Sequence, residues 1–429
     1  MQKIKLTAQT QQDILNNVLE RSPGSYGKYE SVVADIIANV REKGDEAVFD
    51  YTSQFDKWNI NADNVRITKE EIEEAFASID DEFIRVMKDS AANITAFHEK
   101  QRRNSWIDTR TDGTILGQRI LPIAASGIYV PGGKAAYPSS VLMNALPAKV
   151  AGVKKIIMTT PAGADGKVNP GTLAAAKIAG IDEIYKVGGA QAIAAMAFGT
   201  ESIPKVDKIT GPGNIFVALA KKACFGHVSI DSIAGPSEIL VIADETANPR
   251  YVAADLLSQA EHDELASAIL ITTSETLADQ VSVQIEGFLE TLPRADIIKK
   301  SLENYGYQLI ADTMEDAVSA ANAIASEHLE ILTKDPYEVM TKIENAGAIF
   351  IGEYSSEPLG DYYAGPNHIL PTNGTAKFFS PLSVDDFVKK TSLISYSRKA
   401  LEEAHKDIEL FAEREGLSAH ANSIRVRFE

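Results

Sequence analysis

The chain has 429 residues, and a division by about 150 residues per domain predicts roughly three domains. Its 42 basic and 60 acidic residues give a net charge of −18, which would repel nucleic acid and anionic membranes. An apolar fraction of 45 % and a charged fraction of 24 % exclude disordered and fibrous proteins. The sequence contains no apolar stretch of about 18 residues, and from the polar residues after Leu6 we expect no signal peptide. With Cys224 as its one cysteine, we expect a cytoplasmic protein.

The first 25 residues are polar and end in the turn-rich segment 22–25, which predicts an N-terminal arm. From Tyr29 to about Arg103 the pattern is helical, with a capping box that begins at Thr68. From about Gly127, β-branched runs alternate with helical segments, which is typical of a mostly parallel sheet covered on both faces. The runs with strand character are 155–159, 183–187, 238–242, 268–272, 308–310 and 348–351.

Three glycine-rich turns lie at or after predicted strands, at 127–133, 187–191 and 211–214. Each would let the backbone approach a ligand, and the last two lead into helices whose amino ends favour anions. None completes the dinucleotide fingerprint or a Walker A loop. Each turn by itself could be a tight structural turn that requires positive φ. The presence of three such turns in one α/β unit instead indicates a nucleotide-like ligand.

Several polar residues fall where a helix or strand should be apolar. Gln259 and His262 are three apart on one helical face, a spacing compatible with a metal and equally with a polar helix end. Glu327 and His328 follow a predicted helix and could divide acid and base duties, although a helix-terminal histidine with a solvated neighbour would look the same.

The C-terminal third adds a loop and a helix of interest. The loop 360–368 carries Asp361 and His368, and loops hold function more often than cores do. A helix predicted from about Ser397 carries an apolar stripe whose last member is Glu415. Burial of this carboxylate would cost free energy without a partner, and the alternative is that the stripe ends in solvent. Gly416 suits the residue after a helix, and His420 follows closely.

The stretch from Ile230 to Glu238, continued from Asp255 to His262, resembles the signature of the histidinol dehydrogenase family. The likeness covers essentially the whole chain. It extends to 129–133, 211–214, 326–328, 365–368, Glu415-Gly416 and His420.

The resemblance implies an α/β fold of two incomplete Rossmann-like domains with mostly parallel sheets, a short N-terminal arm and a small helical C-terminal segment. Its boundaries are expected at 1–25 for the arm, 26–127 with 238–381 for the larger domain, 128–237 for the second domain, and 382–429 for a C-terminal dimerisation segment. The implied activity is the oxidation of L-histidinol to L-histidine through histidinal, with two NAD. These are the final steps of histidine biosynthesis.

The resemblance also assigns residues to roles. Glu327 would activate the water that hydrates the aldehyde, and His328 would take the alcohol proton. A thiohemiacetal on Cys224 is the rival route, which the family does not use; its apolar context indicates packing. One Zn²⁺ per subunit would be held by Gln259, His262, Asp361 and His420. The implied substrate contacts are Ser237, Gln259, His262, His328, Asp361, His368, Glu415 and His420, and the implied NAD contacts are Tyr129, Gln191 and Asn214.

The family is a homodimer whose C-terminal segment completes the partner's site, so Glu415 and His420 would serve the other subunit. Three other functions stay open. The first is a related zinc and NAD dehydrogenase that oxidises another small alcohol to its acid. The second is a catalytically inactive NAD- or zinc-binding protein, which would be expected to lack Glu327 or His328. The third is a metallohydrolase, in which the glycine turns would have no function. The retained Glu327, His328, His368 and Glu415 favour histidinol.

Overall fold

A computed structural model describes residues 1–19, 27–132, 137–181 and 183–429. The predicted turn at 22–25 and Gly133 of the first glycine turn lie outside the described residues. The chain divides into two compact units, which comprise Met1–Gln101 with Ala124–Phe387, and Arg102–Ile123 with Val388–Glu429. Among the described helices, none has the length and apolar character to cross a bilayer.

In chain order the strands are β1 (Gln2–Lys5), β2 (Trp106–Thr109), β3 (Ile115–Pro122), β4 (Ala125–Tyr129), β5 (Lys155–Thr159), β6 (Glu183–Tyr185), β7 (Lys208–Thr210), β8 (Ser229–Ile230), β9 (Glu238–Ala243), β10 (Ser267–Thr272), β11 (Gly306–Ile310), β12 (His328–Leu332), β13 (Ala348–Ile351) and β14 (Val388–Ser395).

The helices are α1 (Ala8–Leu19), α2 (Gly27–Lys43), α3 (Asp45–Asp56), α4 (Lys69–Ala77), α5 (Asp81–Glu99), α6 (Pro138–Ala151), α7 (Pro170–Ala179), α8 (Gly189–Phe198), α9 (Ile215–Cys224), α10 (Pro249–Ala260), α11 (Glu275–Leu289), α12 (Ala295–Tyr305), α13 (Met314–Ile324), α14 (Pro336–Met340), α15 (Glu357–Leu359), α16 (Arg398–Arg414) and α17 (Ser418–Arg425). A π-helical turn spans Gly360–Ala364, and 3₁₀ turns span Thr375–Lys377 and Val384–Phe387.

The first unit contains a five-stranded parallel sheet in the order β6-β5-β4-β7-β8. Its first strand along the chain, β4, lies in the middle, and the connections run outward from it in both directions. Helix α9 begins at an Asn214 cap, whose side chain accepts hydrogen bonds from Phe216 N and Val217 N. This strand order creates a switch point between β4 and β7, where doubly wound folds bind ligands at the carboxyl ends of strands.

The same unit contains a six-stranded parallel sheet in the order β1-β11-β10-β9-β12-β13. Strands β9 and β10 are buried along their whole length, as parallel strands with helices on both faces should be. In the register of this sheet His328 at the start of β12 pairs with Ile239 of β9. The polar edge strand β1 lies within the segment that the sequence assigns to an arm.

The second unit combines a three-stranded antiparallel sheet, in the order β14-β3-β2, with helices α16 and α17. Ser397 caps α16 by accepting a hydrogen bond from Ala400 N, and Gly416 leaves the helix at a φ of +74°. The apolar stripe ends in exposed side chains, since Phe411 is 69 % and Ile408 38 % accessible. This unit therefore presents apolar surface to solvent.

The predicted α/β class with mostly parallel sheets is confirmed. The capping box is also present, because Thr68 Oγ1 accepts from Glu71 N while a Glu71 oxygen accepts from Thr68 N. The antiparallel sheet of the second unit is not predicted by the sequence. Its strand β2 has four exposed residues, of which the two apolar ones are adjacent, so no alternation marks it as a strand.

Candidate active site and cofactor-binding residues

Glu327 and His328 lie side by side at the amino end of β12. Helix α13 ends just before them, and Ala325 turns the chain out of the helix with a φ of +54°. Both side chains are buried, and His328 Nδ1 lies 3.7 Å from Glu327 Oε2. The structure thus brings a carboxylate and an imidazole together at one enclosed point, as an acid–base pair requires.

The backbone of Glu238, at the start of the neighbouring strand β9, holds this pair. Its carbonyl oxygen lies 3.0 Å from His328 Nδ1, and its N–H donates to Glu327 Oε2 at 2.9 Å. A proton on Nδ1 satisfies the carbonyl and leaves Nε2 for chemistry. Among the described residues His328 Nε2 has no hydrogen-bond partner, and it lies 3.6 Å from Asp361 Oδ1.

The three groups shift one another's pKa values. Burial raises the pKa of Glu327 to about 7, although His328 opposes the rise. Burial would lower the pKa of His328, but Glu327 and Asp361 outweigh it and raise the value to about 10. For Asp361, burial is outweighed by the imidazoles of His328 and His368, which lower its pKa to about 2. A cation bound at Asp361 would offset the negative charge of its carboxylate and so lower the pKa of His328 again.

The amide of Gln259 indicates a missing ligand. The residue is 0 % exposed in the last turn of α10, and neither amide atom has a hydrogen-bond partner among the described residues. Leaving such a group unpaired costs free energy, so buried amides almost always have partners. A metal ion that accepts the amide oxygen as a ligand would account for this orphaned group.

Asp361 and His262 lie near the same point. Asp361 lies on the π-helical turn Gly360–Ala364, a rare form that recurs at functional sites. Burial lowers the pKa of His262, and the carboxylate of Asp361 opposes that shift. His262 follows directly on α10, where its N–H donates to the carbonyl of Gln259 at 3.0 Å. Gln259, His262 and Asp361 thus all belong to the first unit, and the effect of Asp361 on the pKa of His262 shows that these two side chains are near each other.

Sequence reasoning missed Glu357, a buried carboxylate that belongs to this cluster. Burial and the charge of Asp361 raise the pKa of Glu357 to about 8, and Ser258 Oγ donates to it at 2.9 Å. Ligand atoms of His328, Glu357 and Asp361 all lie within 4.8 Å of one another. Glu357 precedes Asp361 by four residues, one helical turn, and that spacing is the signal that could have found it.

His368 and Ser237 lie on the border of the cluster. His368 Nδ1 is 3.1 Å from the carbonyl oxygen of Asp361, and its Nε2 is 3.4 Å from Ser140 Oγ. Ser237 Oγ lies 3.4 Å from His262 Nδ1. Both side chains are therefore linked to residues of the candidate metal site.

Glu415 and His420 belong to the second unit. Glu415 ends α16, His420 lies on α17, and both side chains are exposed. Arg425 connects the two helices, with hydrogen bonds of 3.0 Å to Glu409 and 2.7 Å to Glu413. The segment that carries both residues is therefore braced within its own unit.

The glycine turns converge on Tyr129 at the end of β4. Tyr129 Oη accepts a hydrogen bond from Gly189 N at 3.1 Å. Gly211 has a φ of +121°, and a Cβ there would lie 2.0 Å from the carbonyl oxygen of Tyr129, so only glycine fits. Gln191 is buried, and its Oε1 has no hydrogen-bond partner among the described residues. Asn214 is exposed where the third turn enters α9.

A cavity of about 370 Å³ opens beside these turns, at the carboxyl ends of β4 and β5. This is the edge at which doubly wound sheets bind nucleotides. Among the described residues it is lined by Asp56, Pro131, Gly132, Thr160, Pro161, Ala162, Gly163, Lys167, Asn169 and Thr172.

The acid–base pair and the glycine turns lie at different ends of the strands in their two sheets. The acid–base pair lies at the amino edge of the six-stranded sheet, whereas the glycine turns lie at the carboxyl edge of the five-stranded sheet. Asn367 joins these parts of the first unit by donating to the carbonyl of Met143 on α6 at 2.7 Å. This fold and this site are typical of an α/β enzyme, because a buried carboxylate and imidazole lie beside further carboxylates that could hold a metal ion.

Comparison with known proteins identifies the family. The sequence profile of histidinol dehydrogenase matches residues 19–428. The histidinol dehydrogenase of Halalkalibacterium halodurans is 57 % identical over 400 residues, which cover 93 % of this chain and 94 % of that protein. That of Clostridium acetobutylicum is 56 % identical over 410 residues, with 96 % and 95 % covered.

A solved structure agrees with the sequences. The crystal structure of histidinol dehydrogenase from Elizabethkingia anophelis superposes with a TM-score of 0.94 at 39 % identity, covering 100 % of this chain and 98 % of that one. The chain belongs to the histidinol dehydrogenase family, and it is an oxidoreductase. The predicted family and enzyme class are therefore confirmed.

Proposed function

We propose that the chain oxidises L-histidinol to L-histidine through histidinal in the cytoplasm, with two NAD and one Zn²⁺ per subunit, and so completes histidine biosynthesis. The family of the chain supports this reaction. The observation that carries it is the buried pair of Glu327 and His328, which lies beside Asp361. A two-step oxidation needs one base for an alcohol and another for water, and the pair offers both.

The residues fit a zinc ion. Gln259, His262, Asp361 and His420 offer the nitrogen and oxygen atoms that zinc accepts, and the orphaned amide of Gln259 supports the assignment. When bound, the metal would hold the imidazole and amine of the substrate and orient the alcohol. The alternative cluster with Glu357 would make His328 a ligand, and that would remove the nitrogen that the reaction needs as a base.

In the first step His328 acts as the base. Its Nδ1 is engaged by the carbonyl of Glu238, so Nε2 takes the proton of the substrate hydroxyl. When bound, NAD would accept the hydride that the carbon gives up as the oxygen loses this proton, so that the products would be histidinal and NADH. His368, held by the carbonyl of Asp361, and Ser237 would contact the substrate from the border of the site.

In the second step Glu327 acts as the base. An aldehyde has no hydroxyl to deprotonate, so water must first add to its carbon. Glu327 takes a proton from that water as the oxygen–carbon bond forms, which leaves the hydrate as a monoanion. A second NAD, when bound, would accept the hydride that this anion loses to give the acid. A pKa raised to about 7 suits a group that both accepts and releases a proton near neutral pH.

Bound NAD would lie along the glycine turns at the carboxyl edge of the five-stranded sheet. Tyr129, Gln191 and Asn214 would contact it, one from each turn. The orphaned Oε1 of Gln191 and the adjacent cavity support this location, because a buried amide oxygen needs a donor.

Two copies of the chain would form a homodimer in which the C-terminal segment completes the partner's site. The apolar side chains that α16 exposes, among them Phe411 and Leu410, support an interface there. The exposed side chains of Glu415 and His420 then serve the other subunit, where Glu415 would contact the substrate and His420 the zinc.

Metal removal tests the reaction itself. Purified protein with L-histidinol and NAD is expected to form two NADH per histidinol, to stop after chelation, and to resume when zinc is returned. NADH absorbance and a matched sample that was never chelated provide the measurement and its control. NADH from another small alcohol, with none from histidinol, would reject the substrate.

Mixed dimers test the crossed arrangement. Glu327→Gln and His420→Ala subunits are each expected to form almost no L-histidine, and subunits exchanged between them should regain its formation. If the C-terminal segments are crossed, one of the two sites in a mixed dimer combines the native Glu327 of the His420→Ala chain with the native His420 of the Glu327→Gln chain. Mixtures that stay inactive, although tagged subunits show that exchange occurred, would mean that each segment serves its own chain.

A further inference from the structure

Glu238 carries a buried carboxylate that the proposed reaction does not use. The residue begins strand β9, is 2 % exposed, and lies against the acid–base pair. Burial of a carboxylate costs free energy unless hydrogen bonds compensate for it. The partners of this group therefore indicate its purpose.

Glu238 and Glu327 form a reciprocal pair across the ends of two neighbouring strands. The N–H of Glu238 donates to Glu327 Oε2 at 2.9 Å, and the N–H of Glu327 donates to Glu238 Oε2 at 3.3 Å. Each backbone therefore binds the other residue's carboxylate. This exchange extends the pairing of β9 and β12 beyond His328 and fixes where the Glu327 carboxylate points.

The second oxygen of Glu238 holds a third segment. Its Oε1 accepts a hydrogen bond from Asn373 N at 3.1 Å, and Asn373 has a strained φ of +54°. The neighbouring Thr372 Oγ1 accepts from Gly235 N at 2.7 Å. The loop that follows His368 is thus bound to the loop that leads into β9, and one carboxylate joins them to the catalytic strand ends.

The backbone carbonyl of Glu238 sets the protonation of the base. It engages His328 Nδ1 at 3.0 Å, which fixes the tautomer with its lone pair on Nε2. We propose that Glu238 is a positioning residue, which holds the Glu327 carboxylate and the His328 ring in register for the two proton transfers. This inference rests on the proposed function of that pair.

The carboxylate is suited to this task because it accepts two backbone N–H groups at once. A glutamine at this position would offer one oxygen and one NH₂, and the NH₂ would oppose either the N–H of Glu327 or that of Asn373. Such a change would keep the size of the side chain and loosen the acid–base pair. A displacement of about 1 Å at reacting groups costs about 10²-fold in rate.

Asp244 offers a matched control at the other end of the same strand. It lies about 20 Å along β9 from Glu238. Its Oδ2 accepts from Lys334 N at 2.8 Å, just beyond β12, and its Oδ1 accepts from Thr246 N at 2.9 Å. Both acids link the same two strands through backbone N–H groups, at opposite ends, but only Glu238 contacts the acid–base pair.

The first test compares zinc-loaded Glu238→Gln and Asp244→Asn enzymes. Glu238→Gln is expected to lower kcat by about 10–100-fold with both histidinol and histidinal, with KM values within about twofold and zinc content unchanged. Asp244→Asn is expected to keep kcat. A Glu238→Gln enzyme with kcat within twofold of the original would overturn the inference, as would a kcat loss matched by lost zinc and a lower melting temperature.

A second measurement does not depend on turnover. In protein labelled with ¹⁵N-histidine, His328→Gln identifies the His328 signals, and the exchange of its Nδ1 proton with water is followed. The proton is expected to exchange slowly in the original protein and in Asp244→Asn, and faster in Glu238→Gln. Equal exchange in all three would overturn the inference. The original protein could also make no NADH from histidinol while the Nδ1 proton still exchanged faster in Glu238→Gln than in the other two proteins. That result would reject the proposed reaction but retain the positioning role of Glu238.

Discussion

Replacement of His328 by asparagine is expected to lower kcat for the oxidation of histidinol by about 10²–10⁴-fold, the range for loss of a general base. The asparagine can still donate toward the carbonyl of Glu238, so the fold around the strand end should persist. It has no nitrogen that accepts a proton near neutral pH, so the alcohol proton has no acceptor. Pre-steady-state NADH formation with zinc-loaded enzyme measures this first hydride transfer directly.

Glu327→Gln is the matched comparison, because it alters the neighbouring group by one atom. It should spare the first NADH more than the second, since the role we propose for Glu327 begins only when water adds to the aldehyde. Near-normal alcohol turnover in His328→Asn would remove His328 as the base. Equal loss of both hydride transfers in Glu327→Gln would contradict the separate role of Glu327.

The sequence predicts the parallel sheets well because burial leaves a strong pattern. Strands β9 and β10 are covered on both faces, so nearly every position is apolar or β-branched and the run is visible without alignment. Strand β1 is the opposite case. It has four residues, mostly exposed, and in the described part of the chain it lies at the edge of the sheet and pairs with β11 alone. Its partner, rather than its own sequence, makes it a strand.

Some residues of the candidate site can likewise be recognised from the sequence, whereas others cannot. Adjacent Glu327 and His328, or Glu415 at the end of an apolar stripe, draw attention because they interrupt a local pattern. Glu357 does not, and Gln259 does so only by its spacing from His262, because the significance of both comes from crowded or orphaned atoms that only the folded chain creates. Resemblance to the family supplied Gln259, but Glu357 required the structure. Local patterning predicts elements, whereas the electrostatics of a site depend on distant segments.

Lys221→Met is expected to lower the free energy of unfolding by about 3–5 kcal/mol, the range for breaking a buried ion pair from one side. The side chains of Lys221 and Asp231 are only 3 % and 4 % exposed, with Lys221 Nζ 2.5 Å from Asp231 Oδ1. Together they bind both peptide groups of Gly211. Nζ donates to its carbonyl at 2.9 Å, and Asp231 Oδ2 accepts from its N–H at 2.8 Å.

The loss should be large because methionine fills the space of the lysine and leaves the carboxylate of Asp231 buried without its cation. Thermal unfolding at matched protein concentration measures the effect, as a fall in melting temperature of about 3–6 °C. The adjacent Lys222 is the control, since it is half exposed and pairs with Glu30 across 3.2 Å. Lys222→Met should cost less than about 1 kcal/mol.

A double variant separates the charge from the packing. Lys221→Met combined with Asp231→Asn removes the unpaired charge and keeps an oxygen that can accept from Gly211 N, so most of the lost stability should return. If the double variant were as unstable as Lys221→Met alone, the loss would come from packing or from the lost bond to the carbonyl of Gly211. The ion pair would then not be what holds the turn against Tyr129.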